Sequence, residues 1–308
     1  MRGAGVRSFL HAGVAMATLA SCASCATGSP AAGPRGLGEI STFTYVLEKY
    51  PKGRLDELAR APHQLAIIDL SRDGTVKGYF TREEIARLRG SGKKVLAYFE
   101  IGSIEEFRTE YRPLRDRHAD LLLNVWKDWP DEHFVKYWDP RWWDQVVRPR
   151  VDQALRAGFD GVYLDTPLAY EEIDLARVPG RTRDRLARDM VDLIVRISAY
   201  AKRSRPGFAV LPQNSPELRH HPGYTRAIDG IGMEELFFKA TDDPCDEEWC
   251  GENLANAMAL RRQGKVVLAT DYASSAANVM NACSRYRKLG IAGNVTTVAL
   301  DRISPPCR

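Results

Sequence analysis

Ala157-Gly158-Phe159-Asp160-Gly161-Val162-Tyr163-Leu164-Asp165 reads as a helix end, a tight turn, a short buried strand and a carboxylate at the strand's C-terminal tip. Gly158 can take the left-handed conformation that stops a helix. Val162 and Leu164 alternate with Tyr163, so they face the other side of the strand. Asp165 then stands where parallel α/β folds place their chemistry, outside the carboxyl ends of the strands. A strand-ending Asp can equally cap a loop, so this stretch bears on the fold before it bears on a function.

Outward from it, short apolar runs recur at residues 64–69, 94–99, 121–125, 207–211, 228–233, 265–270 and 294–299. Between them lie helical patterns at 82–89 (capped by Thr81), 182–203, 251–263 and 275–289. Strands alternating with helices predict βαβ units and a parallel sheet. Eight strands predict an α/β fold of the closed (β/α)8 TIM-barrel type, as a single domain over 39–308. Neither a GxGxxG nor a P-loop pattern follows the first strand, which argues against a nucleotide fold.

The start of the chain reads as a targeting segment. Arg2 and Arg7 precede an apolar run, residues 9–20, that is short for a bilayer span and ends in small residues. It closes as Leu19-Ala-Ser-Cys22, which resembles the bacterial lipobox. Residues 1–21 are thus expected to be a lipoprotein signal, Cys22 the lipidated residue, and 22–38 a Gly/Pro/Ser/Ala-rich tether. An ordinary secretory signal cut near Ala26 is the alternative. Both predict an exported protein, in the first case anchored at the cell envelope through Cys22.

The chain has six cysteines, two of them in the leader region. Cys245, Cys250, Cys283 and Cys307 allow three pairings. A local Cys245–Cys250 bridge leaves Cys283–Cys307 to tie the last helix to the tail. Zinc is the rival, but the spacing does not match a CxxC pair and no His lies nearby. The formal charge is +4, of which Arg2 and Arg7 supply two, leaving no footprint for nucleic acid. A monomer is expected.

Several predicted strands end in an acid: Asp69, Glu100, Asp165, Glu234 with Glu235, and Asp271. In a parallel barrel all these tips converge on one rim. Asp165 shares a face with Tyr163 and Gly161, and Glu234 with Gly232 and Gly230, which leaves Ile231 and Met233 for the helix side. Two carboxylates across a cleft can cleave a glycosidic bond. One protonates the departing oxygen while the other attacks the anomeric carbon or activates water. Neighbouring acids push their pKa values apart by repulsion. Aromatic residues suited to sugar faces are frequent: Tyr98, Trp126, Trp129, Tyr137, Trp138, Trp142, Trp143, Tyr170 and Tyr272. Roughly a third of them are expected to face sugar.

The chain resembles the glycoside hydrolase family 114 group, endo-α-1,4-polygalactosaminidase-like TIM barrels. The resemblance rests on Val95-Leu-Ala-Tyr98 with Ile101-Gly102, Glu105-Glu-Phe-Arg108, Trp129-Pro130 and Val135-Lys-Tyr-Trp-Asp-Pro140 with Trp142. It continues through Gly158–Asp165, Gln213-Asn214, Asp229-Gly-Ile-Gly-Met-Glu234 and Asp271-Tyr272. It implies Asp165 and Glu234 as the catalytic acids, with Asp69, Tyr98, Glu100, Tyr163, Asn214, Asp271 and Tyr272 as substrate-binding candidates. It implies no cofactor or metal, and an amino-sugar polysaccharide as substrate, cationic when not acetylated. Two positions depart from the family: Leu168 where a second Asp is frequent, and Glu100 where a small hydroxyl residue is usual.

Two other classes remain open on the residues. A glycan-binding lipoprotein could keep the barrel without turnover. A metal-dependent hydrolase could use the acidic rim, but His63, His118, His133, His220 and His221 form no HxH or HExxH pattern.

Overall fold

The computed structural model describes residues 36–307. Eight parallel strands alternate with helices: β1 (Phe43–Val46), β2 (Leu65–Asp69), β3 (Lys94–Glu100), β4 (Gly161–Asp165), β5 (Ala209–Pro212), β6 (Gly230–Glu234), β7 (Val266–Tyr272) and β8 (Ala292–Thr296). Strands β1 to β5 pair in sequence order as one sheet, and β6 to β8 as another. Single parallel bridges, Gln213 to Gly232 and Thr42 to Gly293, join the two sheets at both seams and complete the ring. This is the expected (β/α)8 architecture.

The helices form where the sequence caps them. Thr81 and Glu84 make a reciprocal capping box on Arg82–Gly90. Thr182 caps Arg183–Ser204, and Ser275 caps Ala276–Leu289. Gly158, at φ 87°, ends Arg148–Ala157 in the left-handed conformation.

Two strands differ from the sequence reading. Leu122–Val125 is not a barrel stave. It belongs to a three-stranded antiparallel sheet with Ser103–Glu105 and Glu132–Val135, inserted between β3 and β4. The missing stave is Phe43–Val46, wholly buried and paired in parallel with β2. An apolar run signals a buried strand but not whether its neighbour is parallel. The eightfold count thus stands with a different membership. Leu37, at the end of the expected tether, is already buried against the barrel interior. The lipobox, Cys22 and the rest of the leader lie outside the described residues, among which no helix is long and apolar enough to cross a membrane.

Strand parity sorts the core into two layers. Phe43, Tyr45, Leu65, Ile67, Leu96, Tyr98, Tyr163, Leu211, Leu268 and Tyr272 pack inside the barrel. Val162, Leu164, Ile231, Met233 and Ala269 pack outward in the cluster that includes the helices. Polarity rises toward the carboxyl end of several staves. Along β3 the interior reads Leu96, Tyr98, Glu100; along β4, Gly161, Tyr163, Asp165; along β6, Gly230, Gly232, Glu234. Two disulfides, Cys245–Cys250 and Cys283–Cys307, have Cα separations of 5.9 and 5.1 Å. They use all four cysteines of the expected domain and fit an exported protein.

Candidate active site

Four tyrosines floor the mouth of the barrel. Tyr45 from β1 packs against Tyr98 and Tyr163, with ring centroids 6.1 and 5.3 Å apart. Tyr272 from β7 is also buried. Burial holds every one of these phenols well above its ordinary pKa, so all are neutral hydrogen-bond donors. Gly232 makes room for Tyr163: a Cβ there would meet the Tyr163 hydroxyl at 1.9 Å. That close approach is what the glycines of β6 provide.

Asp165 and Glu234 rise from this floor. Their strands flank β5, so their backbones stand roughly 10 Å apart, two strand spacings. Tyr98 donates its hydroxyl to Asp165 Oδ2. The Thr166 N–H donates to Oδ1 at 2.6 Å. Thr166 reaches that position in a left-handed conformation, φ 61°, costly for a β-branched residue. Burial raises the pKa of Asp165 to about 6, although both donors pull it down.

Glu234 is held by neutral groups as well. Tyr272 donates to Oε1, and the Gln213 amide donates to Oε2. Asn214 lies 3.4 Å from Oε2, and its own Oδ1 accepts the Glu234 N–H at 2.9 Å. Tyr45 donates to Gln213 Oε1 at 3.0 Å, which fixes the amide orientation. Burial, with the charge of Asp165 adding to it, raises the pKa of Glu234 to about 7. Among the described residues, neither carboxylate has a cationic partner within salt-bridge distance, unlike Asp69 and Glu100.

The other rim acids are arranged differently. Asp69 is buried in a bidentate pair with Arg108, at 3.0 and 2.9 Å. Arg108 also binds Glu105 at 2.8 Å and Glu100 at 3.2 Å. Glu100, only 1 % exposed, has a second pair with Arg150 at 3.2 Å. Asp271 faces the helix side of β7. It accepts the N–H groups of Phe237 and Phe238 at 2.6 and 2.7 Å, along with the Tyr286 hydroxyl. The structure therefore brings Tyr98, Tyr163, Asn214 and Tyr272 to the carboxylate pair, sets Asp69 and Glu100 beside it in an ion-pair cluster, and leaves Asp271 outside the mouth. Glu235 also turns away, at φ 56°, with its carboxylate on the Ala240 N–H at 3.0 Å.

Most of the aromatics serve packing. Trp142 is buried, with its indole N–H on Ile101 O at 2.9 Å, and Tyr137 donates to Leu186 O at 2.8 Å. Trp129 is half exposed. The sequence reading did not single out Tyr45, Gln213, Arg108 or Thr166 as site residues. Gln213 and Arg108 sit inside motifs it quoted. The alternation Phe43-Thr44-Tyr45-Val46 was the available signal for Tyr45. Among the described residues one group has metal-ligand proximity, Cys245, Glu247 and Cys250, and its two sulfurs are joined in the disulfide.

A closed (β/α)8 barrel with two partly buried carboxylates at its carboxyl mouth fits the architecture of a glycoside hydrolase. The chain belongs to glycoside-hydrolase family GH114, whose model matches residues 21–308. It is 30% identical to an uncharacterised protein of Deinococcus radiodurans over 87% of this chain and 83% of that one. Its fold is similar to the glycoside hydrolase domain of PelA from Pseudomonas aeruginosa, at TM-score 0.68 and 18% identity over 87% of this chain and 98% of that one. It is also similar to Ega3 of Aspergillus fumigatus, solved in complex with galactosamine, at TM-score 0.66 and 16% identity over 89% and 97% of the two chains.

Proposed function

We propose that the protein is an exported endo-acting glycosidase that cleaves an α-1,4-linked galactosamine-containing polysaccharide with Asp165 as nucleophile and Glu234 as general acid/base. The observation that carries this reading is a pair of partly buried carboxylates held by phenols, amides and backbone, with pKa values raised to about 6 and about 7. Both are pushed toward neutrality, so near pH 6 to 7 one of the pair can stand ionised for attack at the anomeric carbon, the role that the family resemblance gives to Asp165. The other, Glu234 in this assignment, keeps the proton for the leaving oxygen. With Asp165 as nucleophile the product retains its anomeric configuration. Activity rises as Asp165 loses its proton and falls as Glu234 loses its own, so the optimum lies between pH 6 and 7.

A cationic sugar chain suits the mouth. Around Arg108 and Arg150 stand Asp69, Glu100, Glu105 and Glu110, so the acids outnumber the arginines. Galactosamine in the Ega3 structure is consistent with that choice. The test is incubation of the purified domain with partly deacetylated galactosaminogalactan and, separately, with chitosan, followed by mass spectrometry. Oligosaccharides from the first polymer support the reading. Cleavage of chitosan alone overturns the substrate. Binding without cleavage at any pH between about 4 and 8 favours the glycan-binding lipoprotein.

The Leu19-Ala-Ser-Cys22 motif supports lipid anchoring at Cys22. Each buried methylene contributes about 0.8 kcal/mol, so several acyl chains hold a protein firmly. Cys22→Ser is expected to abolish membrane fractionation. Unchanged fractionation and precursor processing would remove the anchor.

A further inference from the structure

We propose that Glu132, acting as a neutral carboxylic acid, is a positioning residue that aims the Asp165 carboxylate through Ser103 and Thr166. The inference rests on the reading of Asp165 as nucleophile. Glu132 is buried on the inserted antiparallel sheet, directly opposite Glu105. Its Oε1 contacts the Ser103 hydroxyl, and Ser103 lies 2.9 Å from Thr166 Oγ1. Thr166 in turn lies 2.8 Å from the Asp165 carbonyl oxygen.

One order of protons along this chain makes Glu132 neutral. In it the Thr166 hydroxyl donates to the Asp165 carbonyl, which can only accept. Thr166 has then spent its proton, and its oxygen takes the Gly102 N–H, at 2.9 Å, and the Ser103 hydroxyl. Ser103 has one proton and has given it to Thr166. In that order the proton between Ser103 and Glu132 belongs to the carboxyl group. In the reverse order Thr166 donates to Ser103 and Ser103 to an ionised Glu132, the Asp165 carbonyl keeping the Ile101 N–H at 2.9 Å, and the pH dependence of stability separates the two. Burial, and behind it the charge of Asp165, raises the pKa of Glu132 to about 9, which agrees with the first order.

The chain has one evident consequence. Thr166 is pinned at φ 61°, the conformation in which its N–H points at Asp165 Oδ1. Gly102 permits the close approach, since a Cβ there would lie 2.3 Å from the Thr166 carbonyl oxygen. A neutral Glu132 also spares Asp165 a second adjacent anion. The charged groups facing Glu132 are Asp165 from β4, Glu100 from β3 and Glu105 from the opposing strand, with Arg108 tied to the last two. His133, next in sequence, turns to Glu106 on the other face.

The test compares Glu132→Gln, Glu132→Met and Ser103→Ala. Gln retains a donor and Met does not, so Glu132→Gln should keep kcat within about threefold, the scale of one preserved neutral hydrogen bond. Glu132→Met and Ser103→Ala should lower kcat by about tenfold or more with little change in KM. In both, the Asp165 carboxyl, followed by 13C NMR, should titrate at higher pH, because a donor to its charged form is no longer aimed. Glu132→Gln should leave that titration unmoved or lower it.

A readout independent of substrate is thermal stability. A folded pKa of about 9 against 4.5 means that the folded chain keeps a proton the unfolded chain releases, so stability falls as pH rises between those values. Glu132→Gln removes that loss, and its Tm should exceed the parent's by a margin growing from pH 5 to pH 8. A pH-independent margin, an unmoved Asp165 titration in Ser103→Ala, or a kcat loss in Glu132→Gln matching that of Glu132→Met overturns the proposal. If the parent cleaves no glycan, the nucleophile reading fails, while the NMR and Tm comparisons still decide the relay.

Discussion

The mouth of the barrel holds two kinds of carboxylate, on staves a few ångströms apart. Asp69 and Glu100, on β2 and β3, are locked to Arg108 and Arg150. Asp165 and Glu234, on β4 and β6, are surrounded by phenols, amides and a backbone N–H. A guanidinium neutralises an acid and spends its lone pairs. Neutral donors orient an acid, yet leave burial free to move its pKa toward neutrality. Residue type and strand position are the same in both groups; the difference is the partner, which leaves Asp165 and Glu234 without a guanidinium on their oxygens.

The largest effects should come from the neutral-donor pair. Asp165→Asn is expected to lower kcat on a cleaved glycan by on the order of 10^4-fold or more, and Glu234→Gln by about 10^2 to 10^4-fold, both with unchanged circular dichroism. Retention of near-parental activity by either variant would break the assignment. Asp69→Asn, in the arginine-bound group, should cost mostly stability and far less kcat.

Next comes the cation. Arg108→Met leaves Asp69, Glu100 and Glu105 sharing a buried site without it, which should cost about 3–5 kcal/mol by urea denaturation. A loss below about 1 kcal/mol would mean that the cluster is solvated and that the contrast between the two groups is shallower than its geometry.

The smallest and sharpest effects come from the phenols. Tyr98 holds down the pKa of Asp165, and Tyr272 that of Glu234. Removing either hydroxyl raises the pKa of its partner. Tyr98→Phe should move the acid limb of kcat/KM upward and reduce activity near pH 6. Tyr272→Phe should move the alkaline limb upward and extend activity above pH 7. The loss at the optimum should be about tenfold, the scale of one hydrogen bond to a charged group. Limbs moving in the same sense in both variants, with opposite consequences for activity, would fit the roles given to the two acids. An unmoved limb would detach that phenol from its acid.

Much of this arrangement was legible in the sequence, because strand parity is a strict rule. Asp165 with Tyr163, and Glu234 with Gly232, could be placed on one face by counting alone. The same count applied to β7 separates Asp271 from Tyr272. Adjacent residues of a strand cannot both enter the barrel, and the structure sends Tyr272 inward and Asp271 to the Phe237 and Phe238 backbone. The four-residue stave Phe43–Val46 was hidden by its brevity, and with it Tyr45. The arginine partners escaped for another reason. Arg108 belongs to a loop whose path over the rim depends on tertiary packing, and Arg150 to the helix Arg148–Ala157, where a buried charge interrupts the apolar pattern that marks the inward face.

The two seams of the ring have a mechanical meaning. Asp165 belongs to the five-stranded sheet and Glu234 to the three-stranded one. No continuous ladder joins them across the β5–β6 seam, where the strands meet at Gln213 and Gly232. Gln213 crosses that seam with its side chain, grasped by Tyr45 on one side and grasping Glu234 on the other. The Glu234 side of the cleft is thus braced across the seam by two amides, Gln213 and its neighbour Asn214. Shortening that brace, as in Gln213→Asn, would loosen the Glu234 carboxylate and leave the Asp165 contacts in place.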